Sequence, residues 1–195
     1  DALVTMVMVA EFQCPFCSRV LPTVERIERA YGENLRIVWR NNVLPFHANA
    51  GPAANLALEA FEQGGADKFW EIHNLLFDNQ RALERANLER YATQVGLDMG
   101  QVRAALDNNE HQSKIQADQQ LATSLGARGT PAFFINGEQL MGAQPYEKFK
   151  EVMDLTRAEN VCGSNSGRIP GEDLCEDETG DHPPFSSATA RHKLF

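Results

Sequence analysis

Nowhere in the 195 residues does an uninterrupted apolar stretch reach the length that a membrane-spanning helix needs, so no membrane insertion is expected. Basic residues are in short supply. Eighteen Lys and Arg stand against 27 Asp and Glu, a formal net charge of -9. Such a field repels phosphate backbones, so nucleic acid is not expected as a partner. No internal repeat is present. No basic leader precedes the first apolar segment, and the opening at Asp1 reads as a mature or trimmed terminus, with any signal peptide outside this chain. Cysteine is scarce too. The four fall into two pairs, Cys14/Cys17 and Cys162/Cys175, a pattern compatible with an oxidising compartment.

What remains describes an ordinary globular chain. A hydrophobic content of 43% supports an interior, and the length suits one domain carrying a sizeable insertion. Leu3 to Ala10 is apolar without clean alternation, as in a strand buried on both faces. From Pro15, the residues Val20, Val24, Ile27 and Tyr31 recur at helical spacing until Gly32, with a kink expected at Pro22. A second strand at Leu35 to Arg40 completes a parallel βαβ unit. Apolar stripes over 49–108, divided at Gly64-Gly65 and Gly96, predict an inserted helical subdomain. One more helix is expected over Glu110 to Leu125. A hairpin follows from Ala132 to Met141, turning at Asn136-Gly137, and then a helix opened by Pro145. The domain reading is thus a core of 1–48 and 109–160, an insertion of 49–108, and a tail of 161–195 in which periodicity vanishes.

Cys14-Pro15-Phe16-Cys17 lies where the first strand gives way to the first helix. There the first sulfur meets unpaired backbone amides at a helix N-terminus, which favour an anion. Such a position, with a C-x-x-C spacing, lowers a thiol pKa from about 8.5 into the range of roughly 3.5–7.5. Cys14 is therefore expected to be the attacking thiolate. Cys17, one helical turn on, is expected to be its resolving partner. Two other readings compete. C-x-x-C is half of many zinc sites, but no second C-x-x-C is present to complete four ligands. An ordinary structural disulfide at this spacing closes too small a loop to add much stability.

Phe12-Gln13-Cys14-Pro15-Phe16-Cys17, followed in order by Gly129-Thr130-Pro131-Ala132-Phe133-Phe134-Ile135-Asn136-Gly137, resembles the DsbA-like branch of the thioredoxin superfamily. The likeness covers about residues 3–157. It implies an α/β thioredoxin fold with an inserted helical subdomain and a C-terminal extension, and a thiol:disulfide oxidoreductase activity. It also implies a cis-proline at Pro131 opposite the redox pair, and a substrate chain pairing with the backbone at Thr130. The sequence departs from the most oxidising members in one respect. They carry Pro-His between the cysteines, where this chain has Pro-Phe, so a milder oxidant is expected.

Further candidates surround this pair. Glu11, three residues before Cys14, would oppose a thiolate if close to it. The loop from Arg40 to His47 should emerge at the sheet edge that carries Cys14, which makes both residues candidates to act on the sulfurs. A loop-packing role for His47 and a solvated Arg19 are the alternatives. His73, beside Ile72 and Leu76, reads as structural. Phe12, Phe16, Pro45 and Phe46 could form an apolar collar for unfolded substrates, with Phe16 as a substrate-binding residue. Cys162 and Cys175 read as a structural disulfide worth on the order of 3 kcal/mol, with an electron-relay pair as the alternative. The acidic stretch from Glu172 to Asp181 reads as solvated.

The expected reaction is disulfide exchange with unfolded or partly folded proteins that carry cysteines, oxidase direction favoured, in a periplasmic or other extracytoplasmic compartment. It needs no cofactor and no metal, and draws on a redox partner protein or a small thiol pool. A reductase or isomerase fits the motif nearly as well. A binding module or chaperone of the same fold, its C-x-x-C held by a metal, is the reading from a different class.

Overall fold

Strand β1, Val4–Ala10, lies at the centre of a mixed sheet. The computed structural model describes residues 2–163 and 193–194, with side chains as far as Thr156. Strand β2 (Leu35–Asn41) runs parallel to β1. On the other side β3 (Ala132–Ile135) runs antiparallel to β1, and β4 (Glu138–Met141) antiparallel to β3. A two-residue strand β5, Lys193–Leu194, runs parallel to β2, giving the order β4-β3-β1-β2-β5. The rest of the expected tail and the Cys162–Cys175 pairing lie outside the described residues.

Val4, Met6 and Met8 of β1 are buried in the main core, while Val9 packs on the opposite side with Ala122, Ala127 and Ala132. Covered faces on both sides explain why the segment lacks a clean polar alternation. The β3–β4 turn uses Asn136 (φ 48) and Gly137 (φ 101), the pair of left-handed residues that a two-residue hairpin requires. Asn136 also works across the sheet, its side-chain oxygen accepting the Thr5 N–H at 2.8 Å.

Helix α1 (Pro15–Tyr31) buries Cys17, Val20, Val24 and Ile27 and stops at Gly32, whose φ of 50 suits glycine. It runs through Pro22 as one element, with Pro22 exposed. The carbonyl that Pro22 leaves without a helical donor can there be met by water. Helix α2 (Ala50–Asp78) is interrupted at Gly64 and Gly65, the latter with φ 66 and ψ -155, a region open only to glycine. Helices α3 (Arg85–Gln94), α4 (Met99–Asn108) and α5 (Gln112–Ser124) follow, and α6 (Tyr146–Gly163) buries Phe149 and Met153.

The fold is the expected α/β one, a mixed sheet with a block of helices inserted between β2 and β3. The insertion does not wall off a core of its own. Trp39 of β2 stacks on Phe12 at 5.0 Å and meets Phe69, His73 and Phe77 of α2 within 6.2 Å. A single apolar cluster therefore runs from the sheet into the helices.

Candidate active site

The chain leaves β1 at Ala10, crosses Glu11 to Gln13 and enters α1, so that Cys14 becomes the N-cap residue and Pro15 the first helical position. Cys14 has extended backbone (φ -72, ψ 119), and its carbonyl accepts the N–H of Cys17 at 3.1 Å and of Ser18 at 3.2 Å. An N-cap side chain is where a helix offers its free amide hydrogens. Here that side chain is a thiol. Across from it, the Thr130–Pro131 peptide is cis, and the Cys14 sulfur lies 3.4 Å from the Thr130 carbonyl oxygen, to which it donates when protonated. The Thr130 hydroxyl oxygen is buried.

The two sulfurs, both reduced, are made chemically unequal. Cys14 is lowered to about 5, chiefly because the Cys17 thiol donates a hydrogen bond to it. Burial opposes that, while the backbone N–H groups of Cys17 and Phe16 add to it. Cys17 moves the other way. Burial pushes it far above the ordinary thiol range, and donating to Cys14 holds its proton more firmly. One sulfur is thus a thiolate at neutral pH and the other a thiol, the division of labour that attack and resolution require.

An acid whose pKa is depressed on folding stabilises the fold fully above its unfolded value, and loses that contribution as pH falls through its folded value. For Cys14 the window runs from about 9.0 down to about 5. The reduced protein should therefore lose stability relative to the disulfide form as pH falls through this window. Paired denaturant titrations of both forms check this.

Glu11 is fully buried beside this pair. Burial raises its pKa; the Gln13 N–H, donating to Oε2 at 2.7 Å, and His47, whose Nδ1 contacts Oε1, pull it back, and the nearby Cys14 charge raises it again. Replacing it by an amide should shift the Cys14 titration to lower pH, since an adjacent negative charge is removed. A Glu11→Gln titration reads this, and a shift to higher pH would contradict it.

The expected candidates are distributed unevenly around the sulfurs. Cys14, Cys17, Thr130, Pro131, Glu11 and, through Glu11, His47 converge. Arg40 is engaged elsewhere, its Nε 3.7 Å from Oδ1 of the buried Asp118 on α5. Arg19 lies over the Phe16 ring, 4.8 Å from its centroid. Phe16 is 50% exposed and Phe46 is 73% exposed, with Phe46 edge-on to His47. Phe12 is no part of a collar. It is fully buried against Trp39 and Phe77, because its ring faces the common core of sheet and insertion. His73, 4% exposed, sits among the same rings. Among the described residues no three His, Cys, Asp or Glu form a metal-ligating group, and no helix is long and apolar enough to cross a membrane.

One residue at the site had no sequence signal. Gln80, just past the end of α2, donates from its side-chain amide to the carbonyls of Phe12 at 2.9 Å and Cys14 at 2.8 Å. A lone glutamine after a helix carries no motif.

Residues 5–154 match the family model of the DSBA-like thioredoxin domain. Among solved structures, BdbD from Bacillus subtilis superposes with a TM-score of 0.73 at 20% identity, over 80% of this chain and 89% of that one. A thioredoxin-like oxidoreductase from Silicibacter pomeroyi gives 0.71 at 28% identity, over 80% and 87%. The thiol-disulfide exchange protein alpha-DsbA2 from Wolbachia pipientis gives 0.70 at 16%, over 80% and 82%. Curated relatives carry a different name. The Na(+)/H(+) antiporter NhaA 3 of Salinispora tropica is 34% identical over 185 residues, 94% of this chain and 27% of the relative. The Na(+)/H(+) antiporter NhaA of Herminiimonas arsenicoxydans is 33% identical over 170 residues, 87% and 26%. The chain thus spans about a quarter of the length of these relatives.

Proposed function

Given that the chain belongs to the DSBA-like thioredoxin family of thiol–disulfide oxidoreductases, we propose that it oxidises dithiols of unfolded or partly folded proteins through Cys14 and Cys17. In the oxidising half-cycle a substrate thiolate attacks the Cys14 sulfur of the Cys14–Cys17 disulfide. The bond between the two cysteines breaks and Cys17 leaves, taking up a proton. A second substrate thiolate then attacks the substrate sulfur of the mixed disulfide, and Cys14 departs as a thiolate. The substrate loses two electrons and gains a disulfide; the protein gains the two electrons. A redox partner protein or small thiol-disulfide pool must reoxidise it.

The observation that carries the direction is the place of Cys14 at the N-cap of α1 with Cys17 one turn on, where its pKa is lowered to about 5. A stabilised thiolate favours the reduced protein and makes its disulfide a better oxidant. Cys14 is also the better leaving group in the final step. Thr130 and Pro131 would flank the substrate chain at the attacked sulfur, with the exposed Phe16 receiving an apolar side chain. Glu11 and His47 would adjust the charge beside the thiolate, whereas the Asp118 pairing supports a structural role for Arg40. An extracytoplasmic compartment, where such disulfides persist, fits this chemistry. The Na(+)/H(+) exchange named for the relatives belongs to proteins of which this chain matches about a quarter, and is not carried over.

The reduction potential of the Cys14/Cys17 couple tests the direction. The reading expects a value between thioredoxin's, about -270 mV, and DsbA's, about -120 mV, and more oxidising than about -200 mV. A value at or below about -250 mV would reverse the direction to that of a reductase. One zinc bound per chain, with no exchange activity, would favour the metal-held binding module instead.

A further inference from the structure

Cys14 is held from a direction that the thioredoxin core does not supply. As the N-cap, its carbonyl is the first acceptor of α1, taking the N–H groups of Cys17 and Ser18, so the orientation of the Cys14 peptide and of the first-turn amides is shared. The third donor to that carbonyl is the side-chain amide of Gln80, at 2.8 Å, whose nitrogen also donates to the Phe12 carbonyl at 2.9 Å. Both acceptors are carbonyls, so only the nitrogen end of the amide satisfies them. One side chain therefore pins the entry loop on both sides of Gln13.

The arm that carries Gln80 is itself braced. Asn79 closes α2 with its N–H and its side chain both donating to the Leu75 carbonyl, at 3.1 and 2.8 Å. The Ala82 N–H returns to the Asn79 carbonyl at 2.8 Å, and the hydroxyl of the buried Tyr91 on α3 donates to the Ala82 carbonyl at 2.9 Å. Gln80 thus links the frame of the helical insertion to the backbone of the reactive cysteine. The same arm, from Asn79 to Ala82, lines an open cleft with Ser18 and Phe77.

Resting on the redox reading above, we propose that Gln80 is a positioning residue for that chemistry: its paired hydrogen bonds hold the Phe12–Cys14 entry, and with it the Cys14 sulfur, in place at the first turn of α1. Without them the Phe12 and Cys14 carbonyls lose their side-chain donor, and the entry loop keeps the Gln13 bonds to Glu11 and Asn49, the Glu11–His47 contact and the packing of the Phe12 ring. The Cys14 carbonyl also loses a donor that withdraws its negative charge. Both changes disfavour a thiolate. The titratable groups facing Cys14 are Cys17 on α1 and Glu11 with its partner His47, and Asp78 and Arg81 flank the cleft.

The test titrates the Cys14 thiolate in the full reduced chain by its ultraviolet absorbance, in the wild type, Gln80→Met and Gln80→Glu. Methionine keeps the length and removes the donors, and should raise the midpoint by about one pH unit, a tenfold loss of thiolate on the acid side. Glutamate, which accepts but does not donate when ionised, should raise it further. Gln63→Met, the same replacement elsewhere on α2 at a side chain that bonds Glu59 and the Asp98 carbonyl, should leave the midpoint in place. A role in stability alone would lower the melting temperature and leave the titration unmoved. Wild-type midpoints in both Gln80 variants would overturn the inference while the redox reading stands. A wild type that itself ionises like an ordinary thiol would instead overturn the redox reading.

Discussion

Cys14→Ser is expected to abolish disulfide exchange, with a loss on the order of a thousandfold or more, because a serine hydroxyl is neither ionised at neutral pH nor able to form the mixed disulfide. Cys17→Ser should behave differently. Cys14 remains able to attack a substrate disulfide, but no sulfur waits a turn away to release the product, so the protein should accumulate covalently joined to its substrate. Non-reducing electrophoresis separates the cases: adducts that a reductant dissolves in Cys17→Ser, none in Cys14→Ser. The contrast follows from the inequality of the two thiols, one lowered to about 5 and the other pushed up by burial. Exchange activity surviving in Cys14→Ser, or adducts formed through Cys17, would overturn the assignment of roles.

The second large effect concerns Phe12. This ring is fully buried, stacked 5.0 Å from Trp39 and 5.2 Å from Phe77, two residues before the reactive sulfur. Phe12→Ala should cost about 3–5 kcal/mol, the sum of lost apolar burial and the cavity left behind. Because Trp39 belongs to the sheet and Phe77 to the insertion, the cavity would open at the seam between them. Equilibrium denaturation measures the loss. Phe46→Ala, at a side chain 73% exposed, should change stability by no more than about 0.5 kcal/mol. Equal costs for the two would contradict the placement of Phe12 in the core.

That placement shows where sequence reasoning runs short. Regular elements could be read because their periodicity is physical: Val20, Val24 and Ile27 mark the inner face of α1, and Asn136-Gly137 supplies the two left-handed residues of the hairpin. In the loop between β1 and α1 no period operates. A phenylalanine beside the cysteines then reads equally well as collar or core, and only the position of Trp39 decides. Topology brought the β2 exit to the edge that carries Cys14, and His47 meets Glu11 there. It could not say what Arg40 would meet, because Asp118 lies on a helix far along the chain. Gln80 belongs to the same class: its partners are backbone carbonyls, which leave no trace in residue identity.

The acidity of one sulfur carries the whole account, and titrating the thiolate absorbance of the reduced protein, with Cys14→Ser as the blank, measures it most directly. A midpoint near pH 5 that disappears in the variant is the expected result. A midpoint near the free-thiol value of about 8.5 would contradict it.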